Sequence, residues 1–473
     1  MIRERGSKLY VGYAFGNGSE ACIYNFVASF FMIYLTGVAG INAQLAGTIT
    51  SIALLTETVA SIVIGKISDK TSCKYGRRRP YILVAAILAP ISIFAMFYNV
   101  RFPLSLKVVY YITAGMAFWI LYAVFYIPYT ALGAEIAKGY DDRTKLRSLA
   151  RGFGLVGTLL GFNLPLLLLQ FLQEQGFNKS FAWHMVALMI GIVCFSGYFF
   201  CWNLTRNGEI QQLNIEKNTT RNSIMTMFYD FLELLKLKPM KIALIYKVFF
   251  TCAFTFFSTS MIFFLQFNLQ LKNDKTATIY VISVAFSLAL TPFITKTAIK
   301  LGKKKQQTIA MLFSGVCGII LYLLGICNYY ITIIYVMIFS FAQTSFWQLS
   351  NAIFYDIIEI DEFVYDKRRE GDISCIQSVV GTLVTAATVQ IVGMLIEIAQ
   401  LNLNGSNQGP LVVKTLSLIF ILLPSINLVF AGIIISIFPI TRTRFEVLLK
   451  TLMLKKEGRN YQCYIKEIDK MIR

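Results

Sequence analysis

Twelve times along this chain, about twenty residues or more pass with few charges or none. A helix of that length spans the roughly 30 Å hydrocarbon core of a bilayer. No water reaches the backbone there, so each run must satisfy its own N–H and C=O groups as a helix. Composition agrees. Of 473 residues, 56% are hydrophobic and 15% charged, with a mean hydropathy of +0.62, whereas soluble domains carry about 25% charged residues. A soluble enzyme and a disordered chain are both excluded. The nine cysteines form no C-x-x-C pair and lie mostly in apolar segments, which reads as small buried hydrophobes rather than a disulfide framework.

The hydropathy pattern predicts an all-α membrane protein with spans near 10–37, 42–67, 80–99, 107–134, 142–174, 181–204, 241–269, 276–299, 307–327, 329–358, 373–399 and 412–440. No small-residue cleavage site follows the basic opening, so the first span is expected to remain as a helix. The net charge of +19 tests the count. The N-terminus, the loops after even-numbered spans and the tail hold 36 of the 44 Lys and Arg residues; the loops after odd-numbered spans hold six, and Arg151 and Lys247 lie inside spans. By the positive-inside rule both termini are expected in the cytoplasm, with the chain multi-pass in the cell membrane. The basic balance is therefore topological, and no nucleic-acid partner is expected.

Two tight basic turns, Gly65 to Pro80 and Lys296 to Lys305, lie about 226 residues apart, near half the chain length. The loops Glu135 to Arg147 and Glu359 to Arg369 share nearly that offset. The expected organisation is a six-helix bundle over 1–204, a cytoplasmic linker over 205–240, a second six-helix bundle over 241–440 and a basic tail over 441–473. Two parallel, pseudo-symmetric halves of this kind are the layout of major facilitator transporters. The Gly65-x-x-x-Asp69 turn with Arg77 and Arg78 resembles that superfamily's signature loop, and Asp69 is the expected latch of an inner gate.

Four segments in order resemble the glycoside–pentoside–hexuronide:cation symporter family, of which melibiose permease is the best-known member. They are Tyr13 to Ile41 in the first span, Asp69-x-Thr71 with Gly76 to Pro80, Ile127-Pro128-Tyr129 with Asp142-Arg143, and Phe346-Trp347 with Asp356 to Gly371. The resemblance covers nearly the whole chain and implies uptake of a sugar or glycoside coupled to Na⁺ or H⁺. It also implies a functional monomer with no cofactor, and no enzyme. Where the family places two cation-binding aspartates on the second span, this chain has Glu57 and Ser61. A sugar-binding aspartate of the first span falls at Ala21, beside Glu20. A fourth-span aspartate and tryptophan fall at Tyr126 and Thr130, and an eleventh-span lysine at Thr382. Arg151 and Trp347 match the family's pattern. These departures favour H⁺ over Na⁺ and do not support galactoside specificity.

Read without the resemblance, charges inside spans are costly and face cavities or partners. Glu57 lies about 15 Å deep, where a carboxyl stripped of water can take up and release a proton, and Glu20 is the second such candidate. Arg151, about 14 Å inside, needs a carboxylate such as Glu20 or Glu57, or ligand groups. Lys247, about a dozen ångströms into the seventh span, is expected to snorkel to the inner surface. A sugar site needs an aromatic platform and hydrogen bonders: Trp347 with Gln343, Thr344, Gln348 and Asn351, the tyrosines at 122, 126 and 129, and Gln377. Asn17, Asn25 and Asn163 line a cavity or cap broken turns.

No phosphate-binding Gly-x-x-x-x-Gly-Lys-[Ser/Thr] loop is present, and the single histidine, His184, excludes multi-histidine metal sites and relays. The tail, with nine Lys and Arg residues, is either solvated or laid on anionic lipid. Three alternatives stay open: a lysolipid or amphiphile transporter of the same fold, a non-transporting sugar sensor, and a membrane-embedded acyltransferase, for which one histidine is poor equipment.

Overall fold

The computed structural model describes residues 2–71, 76–136, 140–206, 233–325, 328–366, 369–401, 408–457, 459–460, 464 and 468. Most of the expected linker and the end of the tail lie outside these residues, as do the side chains of Asp69 and Asn351. Among the described residues every regular element is helical. The helices are α1 (Ile2–Gly37), α2 (Ala43–Lys70), α3 (Arg79–Met96), α4 (Leu104–Ile136), α5 (Tyr140–Glu174) and α6 (Lys179–Leu204). They continue with α7 (Lys238–Phe263, then a π-helical turn Phe264–Asn268), α8 (Asn273–Leu301), α9 (Lys303–Leu323), α10 (Tyr329–Tyr365) and α11 (Glu370–Ile398). Last come α12 (Pro410–Ser436, with a π-helical turn Leu418–Leu422) and α13 (Arg442–Lys456). Twelve of them are long and apolar enough to cross a membrane. The helix in the tail, α13, was not expected, because its polar, basic sequence carries no span signal.

Local chemistry sets the ends. Asn42, Asn178 and Asn328 each accept a backbone N–H of the first turn, at 2.9, 2.7 and 2.9 Å, and so start α2, α6 and α10. The two basic turns that repeat in sequence each hold a glycine in the left-handed region: Gly76 at φ 99° and Gly302 at φ 88°. Only glycine takes that conformation freely, so the repeat extends to the backbone.

The helices cluster into two compact units. The first holds α1–α6 together with Ser258–Val284 and Ala386–Leu416. α1 crosses α5 closely. A Cβ on Gly157 would come within 1.8 Å of the Gly18 carbonyl oxygen, so only glycine permits this approach. Asn17 crosses the same seam by donating to the Ala150 carbonyl at 3.0 Å. Within this unit α2 also meets α11: Ser51 donates to the Ala386 carbonyl at 2.7 Å, and the Glu397 carboxylate accepts the Ala43 N–H at the start of α2 at 2.9 Å.

The second unit holds the rest of α7, Ala285–Thr385 and the chain from Ser417. Phe250 stacks on Phe346 at 3.6 Å between centroids, and Phe257 on Phe339 at 3.9 Å. At one end, buried Arg369 forks onto fully buried Asp361, with Nε 3.0 Å from Oδ2, and also reaches Glu233 at 2.6 Å. Lys455 of α13 donates to the Phe363 carbonyl at 3.0 Å and to Asp366 at 2.6 Å, which docks the tail helix on α10.

Candidate functional site

In the first unit the two intramembrane carboxyls come together. Glu20, mid-way along α1, accepts the Tyr122 hydroxyl of α4 at 2.5 Å. Glu57 of α2 acts electrostatically on Glu20, and both act on Tyr24 and Tyr122. Rings enclose the group: Tyr24 packs edge-on to Trp119 at 5.9 Å, and Tyr122 stacks on Tyr126 at 5.6 Å. Next to Glu57 and one turn beyond it, the hydroxyls of Thr58 and Ser61 are buried without a hydrogen-bond partner among the described residues. Two carboxylates in so apolar a setting repel strongly, so a proton or a cation must offset one charge.

The other expected residues of this unit take separate roles. Tyr126 is exposed, and Thr130 donates to its own helix at the Ile127 carbonyl, 2.9 Å away. Arg151 is exposed on α5, and among the described residues no charged group acts on it, so neither Glu20 nor Glu57 is its partner. Of the gate residues, Arg78 is buried and donates to Ser68 at 2.8 Å, and Arg77 is half-buried. The Asp69 side chain lies outside the described set. His184 has structural work: it accepts the Asn99 N–H at 3.1 Å and stacks on Tyr98 at 4.8 Å, joining α6 to the end of α3.

In the second unit Trp347 is 51% exposed. Phe250 and Phe254 of α7 meet it nearly perpendicular, at 6.2 and 5.8 Å. Gln343 is half-buried on the same helix, while Gln377 and Thr382 are buried on α11. Gln348 is taken up by Thr295, to which it donates at 2.6 Å. Lys247 does not snorkel. Its Cε and Nζ lie 3.4 and 3.8 Å from the position a Cβ would occupy on Gly381 of α11, so the side chain runs across to α11 at depth.

Sequence reasoning missed the Glu20–Tyr122 bond, the course of Lys247 and the Arg369–Asp361 pair. The first had a signal, since Glu20 and Tyr24 are four apart on one face of α1 and Tyr122 was already marked. The other two depend on contacts between separate helices. Among the described residues no group of three or more His, Cys, Asp or Glu is placed to hold a metal ion.

The profile of the family described as MFS/sugar transport protein matches residues 12–442, and the chain belongs to that family. It is 23% identical over 472 residues to the glucuronide carrier protein homolog of Escherichia coli K12, covering 97% of this chain and 98% of that one. It is 24% identical over 365 residues to the uncharacterized symporter YnaJ of Bacillus subtilis, covering 76% of each. The crystal structure of the nucleoside transporter NupG superposes with a TM-score of 0.67 at 13% identity, over 90% of this chain and 99% of that one, a likeness of fold alone. The fold is thus the major facilitator fold, and the chain is a membrane transporter of the sugar-transport kind rather than an enzyme.

Proposed function

We propose that this chain takes up a sugar or glycoside across the cell membrane by alternating access coupled to H⁺, as a monomer with both termini in the cytoplasm. Residues 1–204 and 241–440 are the two halves of the cycle, joined by the linker over 205–240. The observation that carries the coupling is the Glu20–Tyr122–Glu57 cluster: two acids at membrane depth, one held by a phenol, with one charge left to offset. Glu57 is assigned as the carrier of the coupling proton and Glu20 as its partner. In the first unit Arg151, Tyr126 and Thr130 are assigned to substrate; in the second, Gln343, Trp347, Gln377 and Thr382. An exposed indole offers its face to the aliphatic side of a sugar ring. Asp69, Arg77 and Arg78 are assigned to the gate. The sugar kind is supported by the family and by the full-length relative named as a glucuronide carrier homolog.

One observation favours a second reading of the ion. The orphaned hydroxyls of Thr58 and Ser61, beside Glu57, are oxygen ligands of the sort Na⁺ takes. The test separates binding from coupling in proteoliposomes. Glu57→Gln is expected to retain exchange of labelled substrate and to lose accumulation against a gradient. Full accumulation by this variant removes Glu57 from the coupling role. Accumulation driven by Na⁺ but not by a pH gradient in the unaltered chain replaces H⁺ with Na⁺.

A further inference from the structure

Between α8, α9 and α10 the second unit holds a hollow of about 390 Å³. Its walls include Phe286, Leu290 and Phe293 of α8, Phe313 of α9, and Ile334 and Phe341 of α10, and no polar side chain lines it. Phe341 joins the three helices, its ring 6.4 Å from that of Phe293 and 6.2 Å from that of Phe313. Phe293, Phe313 and Ile334 are exposed, so the hollow opens on the surface of the unit. On α9 the exposed stripe Ile309, Phe313, Val316 and Ile320 is wholly apolar, as a face turned to lipid is and the wall of a watery pathway is not. Water finds nothing to bond in such a hollow, and an empty one forfeits contacts on every wall, so hydrocarbon fills it.

The helices that supply the phenylalanine walls also carry the charge that selects this hydrocarbon. On α8, Lys296 and Lys300 lie three and seven residues beyond Phe293, the second about 10 Å along the axis. On α9, Lys305 lies eight residues before Phe313, about 12 Å away, with Ile309 midway on the same face. All three lysines are exposed, and none makes an ion pair among the described residues. Lys303, by contrast, is committed to Asp356 at 2.8 Å. Lys305 and Arg444 of α13 both act electrostatically on half-buried Lys304, so positive charge collects at this end of the unit. Half of a hydrocarbon core is about 15 Å deep. Ten residues back from Lys300, about 15 Å along the axis, Leu290 lies in the wall of the hollow. A second copy of the chain is a poor occupant, because two copies in one membrane share an orientation and would set these lysines against each other at one depth.

We propose that the hollow and its lysines form a binding site for an anionic glycerophospholipid. One acyl chain lies in the hollow, and Lys296, Lys300 and Lys305 meet the headgroup phosphate. The lipid is a resident part of the unit that fills the space between α8 and α10, not cargo. The proposed topology puts this end in the cytoplasm, so the lipid comes from the inner leaflet; the site itself stands on the second unit alone and not on the sugar reading. A zwitterionic lipid offers the same chain without the net charge. Each lysine near the membrane surface favours an anionic head by about fivefold.

The test uses the full-length chain in phosphatidylcholine nanodiscs doped with a photoactivatable probe, either phosphatidylglycerol with a diazirine near the tip of one acyl chain or the matching phosphatidylcholine. Labelled peptides are located by mass spectrometry after illumination. Phosphatidylglycerol is expected to label residues 286–293 and 334–341 at least about tenfold more than the matched phosphatidylcholine. Lys296→Gln, Lys300→Gln and Lys305→Gln combined should bring the two probes level there. Ile334→Trp, which fills the mouth of the hollow, should remove labelling by both. Lys272→Gln, exposed just before α8 starts, is the control and should leave the preference unchanged. Should the triple variant fail to fold, the ranking of the two probes on the unaltered chain and its weakening by added salt still decide. Equal labelling by the two probes, a preference that survives the lysine substitutions, or labelling spread evenly over the lipid-facing helices overturns the inference. Full competition by glycerol 3-phosphate also overturns it, since that would show an anion site with no use for the hollow. Each of these outcomes leaves sugar transport standing.

Discussion

The acids of the first unit and the lysine of the second are opposite solutions to one problem. Both are charges held at membrane depth. Glu20 is met by the Tyr122 hydroxyl and faces a second carboxyl, Glu57, with Thr58 and Ser61 alongside. Lys247 is met by a glycine and lies one turn from aromatic rings. An acid pair can trade its excess charge for a proton without any other molecule. Lys247 has no charged partner among the described residues. One unit thus holds an acid pair able to share a proton, and the other a lone ammonium set against a neighbouring helix.

The sharpest way to break this comparison uses a third case, the cation that has an internal partner. Arg369→Ala strands fully buried Asp361, and a buried ion pair cut on one side costs about 3–5 kcal/mol. A large fall in melting temperature of the purified chain is expected. Asp361→Asn should cost less, because the amide still accepts one of the arginine's hydrogen bonds. Gly157→Ala comes next. Its methyl would overlap the Gly18 carbonyl, two residues from Glu20, at a cost of about 1–3 kcal/mol from overpacking. This substitution should weaken both stability and accumulation, because it pries α1 from α5. Tyr122→Phe removes the donor to Glu20 at little cost in volume. A hydrogen bond to a charged group is worth about 1.5–3 kcal/mol, so pH-driven accumulation should fall about tenfold or more while exchange persists. The smallest effect is expected for Lys247→Met: with no internal pair to lose, the melting temperature should hold or rise. A fall as large as that of Arg369→Ala would show that Lys247 has a structural partner and would erase the contrast.

Much of the fold was legible because the bilayer imposes it. Twelve apolar runs and the sorting of 36 and six basic residues by loop leave few arrangements to choose between. The paired glycines at 76 and 302 show the same repeat in the backbone. Helix ends were less legible. Residues at the membrane edge satisfy helix and loop alike, so α10 continues to Tyr365, past the expected 358, until Asp366 at φ 52° ends it. The candidate site was legible one residue at a time. Glu20, Glu57, Arg151 and Trp347 announce themselves as polar or bulky groups in apolar runs. Which acid meets which phenol, and that Lys247 turns to α11 and not to the surface, depend on helix rotation and crossing. Those are set by small residues such as Gly157 and Gly381, whose role is invisible until the neighbouring helix is in place.

The central claim is that proton movement through the Glu20–Glu57 cluster drives sugar uptake. Its most direct test is uptake of labelled glucuronide and glucoside into proteoliposomes carrying the full-length chain, with an imposed pH gradient, acid outside, and no Na⁺. The account predicts transient accumulation above equilibrium that collapses with a proton uncoupler and is absent in Glu57→Gln. Uptake that never exceeds equilibrium under the gradient, or that is indifferent to the uncoupler, would contradict it.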